Sequence, residues 1–221
     1  MQVLLDNLGT FGRGAWGTVV LFAWSAVGSL VVGTLLACLR VAPSAAMRAA
    51  GTAYVNVVRN TPLTLVMFFS VLALPQLQIR FGESLNTQFR VFAVLALIAY
   101  TSCFVCEAIR SGINTVPVGQ AEAARAIGLP FGQVLTLVVL PQAFRAVVPP
   151  MGNIFIALVK NTSVASAFSN YELISAMRNL IEQNGNAVIS ILVGITAAYV
   201  LLVAVVALVF NLLERSVGVP A

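Results

Sequence analysis

The chain's only lysine, Lys160, lies in a stretch, 146–171, that carries no other charge. An ammonium in hydrocarbon costs at least ~2.5 kcal/mol even on lenient insertion scales, so it persists where it is paired or used. Two arrangements fit. With Asn161, Thr162 and Ser163 it faces a translocation pathway, attracting an anion or holding a gate. Alternatively it braces a helix bundle by pairing with carbonyls or with an acidic residue such as Glu107. Asn60 and Thr61, just ahead of Pro62, can cap the helix that follows and leave its backbone N–H groups to an anion, so both join Lys160–Ser163 as pathway candidates. Arg59, Glu107 and Arg110 sit where apolar runs end and read as an interfacial ion cluster.

Several chemistries are missing. There is no His, and no Gly-x-x-x-x-Gly-Lys-Ser/Thr loop, so the chain cannot bind and split ATP by that route. No paired-carboxylate or Ser/His/Asp set occurs, which argues against a membrane hydrolase. Cys103 and Cys106 form a C-x-x-C, but no second pair accompanies it, so both read as buried, inert thiols and no metal is expected.

The elements that must carry these residues are membrane helices. Of the 221 residues 60% are hydrophobic and 9% charged, against roughly 25% charged in a soluble domain. The net charge of +5 is spread along the chain, without the basic patch that nucleic acid would need. A crossing takes about 20 apolar residues. Five runs qualify, at about 15–39, 60–79, 90–108, 147–170 and 187–213, in a single domain covering 1–221, with a long connection at 109–145. Val3, Leu4, Leu5, Leu8 and Phe11 suggest a short interfacial helix before the first span. The absence of a basic n-region and the position of Asp6 argue against a cleavable signal. With the N-terminus outside, Arg40, Arg48, Arg59, Arg110, Arg125, Arg145 and Arg215 lie inside and Arg13, Arg80, Arg90 and Arg178 outside. Seven against four favours N-out and C-in. Ser25, Ser29, Gly33 and Ala37 recur every fourth residue, a small-residue stripe for close helix packing.

The connection at 109–145 holds a second, non-membrane signal. Pro117 opens a run of helix formers, Gln120-Ala121-Glu122-Ala123-Ala124-Arg125-Ala126, with Gly128 placed to cap it and Pro130 to end it. Its alanine face allows close docking, and Glu122 can pair with Arg125. Glu122-Ala123-Ala124, Gly128 and Val138-x-Leu140-Pro141 together resemble the EAA loop of ABC importer permeases, with Val138 where isoleucine is usual. Arg59-Asn60-Thr61-Pro62-Leu63, Glu107-x-x-Arg110-Ser111-Gly112-Ile113 and Lys160-Asn161-Thr162-Ser163 resemble the polar-amino-acid permeases. Within that family the longer matches are similar to the actinobacterial glutamate-uptake branch.

The resemblance implies an all-α membrane protein of the type I importer permease fold, without catalysis of its own. Gln120, Glu122, Ala123, Ala124, Gly128 and Pro141 are then expected to couple it to ATPase subunits. Implied partners are a homologous permease or second copy, two ATPases that hold ATP and Mg, an extracytoplasmic amino-acid-binding protein, and the lipid of a bacterial plasma membrane. Glutamate is the expected cargo. Glutamine, histidine, arginine or an opine in the same kind of importer, an autonomous channel or ion-coupled transporter, and a membrane enzyme are the rivals. The five-span reading has a direct check. Cysteines at positions 84 and 125, in a Cys-free background, should react with an impermeant thiol reagent from opposite sides; labelling from one side overturns it.

Overall fold

The computed structural model describes residues 3, 6–81 and 84–218, and those residues fold as helices joined by short turns. In chain order they are α1 (Leu8–Val41), α2 (Ala45–Arg59), α3 (Leu63–Gln76), α4 (Leu85–Asn114), α5 (Val118–Ala126), α6 (Phe131–Phe168), α7 (Leu173–Gln183) and α8 (Gly185–Ser216). Four of them, α1, α4, α6 and α8, are long and apolar enough to cross a membrane, and α2 with α3 makes a fifth candidate if that bent pair is one span. The runs expected at 15–39, 90–108 and 187–213 lie inside α1, α4 and α8. Leu8 and Phe11 belong to α1 itself; Val3 and Asp6 are helical and are set off from α1 by a turn at Asn7, while Leu4 and Leu5 lie outside the described residues.

The second run behaves differently from its expectation. Residues 45–59 form a helix rather than a loop, and the axes of α2 and α3 meet at 107°. The break has a local cause. Asn60 Nδ2 donates to Asn56 O (2.8 Å) and Thr61 Oγ1 donates to Val57 O (2.8 Å). Both side chains thus close the end of α2 instead of capping α3, which has Pro62 at its N-cap with no side-chain bond. Pro62 also disfavours a helical conformation in the residue before it. Residues 63–76 then span about 21 Å at 1.5 Å per residue, short of the ~30 Å hydrocarbon core.

α4 is the centre of the bundle, with 56% of its apolar window buried against 11% for α8. Leu21 of α1, Met67 of α3, Phe92 and Leu97 of α4, and Phe155 and Leu158 of α6 form the main core. The small-residue stripe of α1 is buried. A Cβ on Gly33 would come within 2.5 Å of Val105, and one on Gly28 within 2.2 Å of Ile98. Backbones that approach this closely replace the hydrophobic drive that lipid removes.

Prolines shape the remaining helices. α3 widens into π-helical turns at Phe69–Ala73 before Pro75, and α6 does so at Val134–Val139 before Pro141. A proline cannot donate to the carbonyl four residues earlier, and a wider turn accommodates the gap. In the fourth run, regular α-helix ends at Asn161 and a 3-10 segment, Thr162–Phe168, follows. Thr162 Oγ1 donates to Val159 O and Ser163 Oγ to Lys160 O, both at 2.7 Å, backing the tighter turn.

Ser169 then turns the chain with φ 57° into α7. Glu172, wholly buried, caps α7: its Oε1 accepts the Ser175 N–H (2.9 Å) and its Oε2 accepts the Tyr199 hydroxyl of α8 (2.8 Å). Burial pushes this carboxyl above its usual range, while those donors act in the opposite direction. The turn presses on α1, where a Cβ on Gly17 would lie 2.1 Å from Tyr171 O. Because that neighbour is backbone, Gly17→Ala should destabilise by about 1–3 kcal/mol, whereas Gly12→Ala, with open space around it, should not. Thermal midpoints of the two variants in detergent check this.

Candidate translocation groove, ion cluster and coupling loop

The best-defined electrostatic feature is a cluster around Glu107 on α4. Arg40 of α1 donates to Oε1 at 2.5 Å; Arg59 of α2 approaches the same oxygen at 3.7 Å and Arg110 approaches Oε2 at 3.7 Å. The expected trio of Arg59, Glu107 and Arg110 therefore comes together, and its shortest contact is to Arg40, which the sequence did not single out. Its only signal there was its position as the first charge after the first apolar run. Arg40 is the most buried of the three, with 10% of its side chain exposed against 40% for Arg59.

The pathway candidates separate. Asn161 lines a groove of about 380 Å³ between α4 and α6, with Tyr100, Thr101, Phe104, Asn153 and Ala157. Thr101 is 3% exposed, and its hydroxyl has no hydrogen-bond partner among the described residues. Lys160 is exposed and makes no ion pair among the described residues; it does not reach Glu107 as the bracing arrangement had it. Thr162 and Ser163 direct their hydroxyls to their own helix, and Asn60 and Thr61 sit at the α2–α3 bend. Sequence reasoning missed Asn153 and Thr101. Asn153 stands eight residues before Asn161, the spacing of one helix face, and that was the available signal.

The loop at 109–145 holds the helix expected of it. α5 starts after Pro117 and ends in a Schellman motif: Gly128 takes φ +90°, its N–H donates to Arg125 O (3.0 Å) and the Leu129 N–H to Ala124 O (3.2 Å). A Cβ at Gly128 would meet open space, so glycine is required there by conformation, not by room. Ala124 faces inward, while Gln120, Glu122 and Ala123 are exposed. Glu122 and Arg125 form no ion pair among the described residues. Gln142, next to Pro141, donates to Gln120 Oε1 (2.6 Å) and to Val138 O (2.8 Å), fastening α5 to α6. Val118, Ile127 and Phe131 add exposed apolar surface, each more than 70% accessible. Such a surface fits a protein partner.

An apolar helical bundle with an open groove that carries two asparagines and a threonine on its α4–α6 side, and with a partner-ready helix outside the apolar core, is the architecture of a transporter subunit. The family described as binding-protein-dependent transport system inner membrane component matches residues 29–219, and the chain belongs to it. That makes it the membrane permease subunit of an ABC importer, a class that works with ATPase and substrate-binding partners. The glutamate transport system permease protein GluC of Corynebacterium efficiens is 45% identical over 181 residues, 77% of this chain and 78% of that one. The glutamate/aspartate import permease protein GltJ of Escherichia coli is 34% identical over 220 residues, 96% and 89% of the two chains. Of solved structures, an amino acid ABC transporter with histidines has a TM-score of 0.86 at 24% identity, covering 96% of both chains. The inward-facing MetNI methionine ABC transporter gives 0.72 at 24% identity, over 94% of this chain and 96% of that one.

The cluster yields a graded expectation. Glu107→Gln removes the counter-charge of a guanidinium that is nine-tenths buried, so it should lower thermal stability clearly. Arg59→Gln removes a longer contact on a more exposed side chain and should do so much less. Equal losses in a melting assay would show that the Arg40 contact does not dominate.

Proposed function

We propose that the chain forms half of the translocation pathway of an importer that carries an amino acid, L-glutamate, into a bacterial cell. The groove between α4 and α6 is the observation that carries this reading. Asn153, Asn161 and the unpartnered Thr101 hydroxyl offer hydrogen bonds suited to a small polar solute. Lys160, exposed and next in sequence to Asn161 although not part of the groove lining, supplies positive charge for an acidic one near the groove edge, which favours the pathway arrangement of that residue over internal bracing. Two relatives named as glutamate permeases support the cargo.

A homologous permease or second copy closes the groove from its open side. An extracytoplasmic binding protein delivers the amino acid, and two ATPases holding ATP and Mg engage α5 through the exposed Gln120, Glu122 and Ala123, while Ala124 packs inward behind them. The N-terminus lies outside and the C-terminus inside, with α2 and α3 together making the second of five crossings. Glutamine or another polar amino acid is the competing cargo, and the 29% identical L-cystine transport system permease protein TcyB of Bacillus subtilis is a reason to test it.

The test is uptake by the complete importer in liposomes, with the binding protein outside and ATP inside. Glutamate uptake should require ATP. Ala123→Phe, which puts bulk on the exposed alanine face, should leave assembly intact and abolish uptake. Glutamine transported faster than glutamate would overturn the cargo, and normal uptake by Ala123→Phe would overturn the coupling role.

A further inference from the structure

A second polar pocket lies at the other end of α4 from Glu107. It encloses about 330 Å³ and is lined by Asn86 and Arg90 on the first turns of α4, by Ser169 and Asn170 after α6, and by Ser175 and Asn179 of α7. Among the described residues its one formal charge is Arg90, which makes no ion pair, and no carboxylate lines it. Asn170, 3% exposed, donates from Nδ2 to Phe89 O (3.3 Å) and Phe168 O (3.0 Å), and its Oδ1 receives no hydrogen bond. The pocket thus contains a guanidinium without a counter-ion and a buried acceptor without a donor. A solute carrying a carboxylate and an ammonium on one carbon satisfies both.

Its position aligns it with the groove along α4. Asn86 and Arg90 recur with Leu97 and Phe104 at helical spacing, on the stripe of α4 that also presents Tyr100 to the groove. Arg90 and Tyr100 are about 15 Å apart along the axis at 1.5 Å per residue. α6 contributes Asn153 and Asn161 to the groove before its chain runs on to Ser169 and Asn170 in the pocket. Both sites therefore border the same α4–α6 seam, which is packed shut between them by Leu97 and Leu158.

We propose that this pocket is a second amino-acid site, at the far end of α4 from Glu107, that holds a free α-amino acid by its carboxylate on Arg90 and its ammonium on Asn170. It recognises the groups common to all α-amino acids, so it rests on the reading of an amino-acid importer but not on glutamate as the cargo. The site selects for the class of solute and leaves the choice of side chain to the groove.

The test uses the complete importer in nanodiscs, which leave both faces open. Asn86→Cys places a thiol at the rim, and its alkylation is followed without binding protein while glutamate, glutamine or glycine is added to millimolar levels. Each amino acid should slow alkylation several-fold, a mono-amine or a simple carboxylic acid should not, and Arg90→Gln should remove the protection. Protection by glutamine and glycine with none by glutamate would overturn recognition through the common groups, whereas the cargo is decided separately by uptake. No protection by any amino acid overturns the proposal. So does protection by the binding protein alone, which would mark the pocket as a docking surface.

Discussion

Three guanidinium groups from three helices converge on the carboxylate of Glu107, and the geometry of the bundle at that end depends on it. Apart from this cluster and the Tyr54 hydroxyl of α2, which donates to Ala99 O of α4 at 3.2 Å, α1, α2 and α4 meet through apolar and small side chains, which fix distance but discriminate poorly between rotations. A charge cluster at a helix end is directional. It sets the level at which Arg40 ends the first crossing, and it ties α2 to α4 just before the chain turns at Asn60. Cys103 and Cys106 pack beside it with Leu36, Ala37 and Val55, and Arg40 also donates to the Cys106 sulfur at 3.8 Å.

Around that anchor, packing works by close approach. The buried face of α1 is built from Ser25, Ser29, Gly33 and Ala37, and α4 fills the space with Ile98 and Val105. The outer faces of α1 and α8 expose Trp16, Trp24, Leu192, Val200 and Leu208. In water such a surface would be a liability, whereas in a bilayer it is the solvated side.

The apolar runs and the capped helix α5 were legible because each depends on local composition: twenty uncharged residues, or a proline and a glycine at fixed offsets. α2 was not legible as a helix, since Arg48 and Arg59 at its ends made the segment resemble a charged loop. The 107° bend was obscured for a similar reason. Asn60 and Thr61 can serve either neighbouring helix, and only tertiary packing decides that they close α2. Glu172 went unnoticed because the hydroxyl that satisfies its second oxygen, on Tyr199, lies 27 residues away; the local contact to the Ser175 N–H is an ordinary helix cap, and the Thr18 hydroxyl of α1 accepts the Leu173 N–H beside it. Arg40 was hidden likewise, 67 residues from its carboxylate.

α6 joins features that lie far apart. Gln142 is fastened to α5 at one end, and Asn161 faces the groove near the other, about 28 Å away at 1.5 Å per residue. Between them Pro149 and Pro150 remove two backbone donors, leaving the carbonyls of Arg145 and Ala146 without their usual intrahelical partners. Mechanically this is a lever with a compliant joint near its middle. A tilt of about 5° imposed at Gln142 would carry Asn161 roughly 2.5 Å if the shaft stayed straight, comparable to the length of a hydrogen bond. Stiffness at Pro149 and Pro150 therefore sets how much of any displacement of α5 arrives at the polar groove.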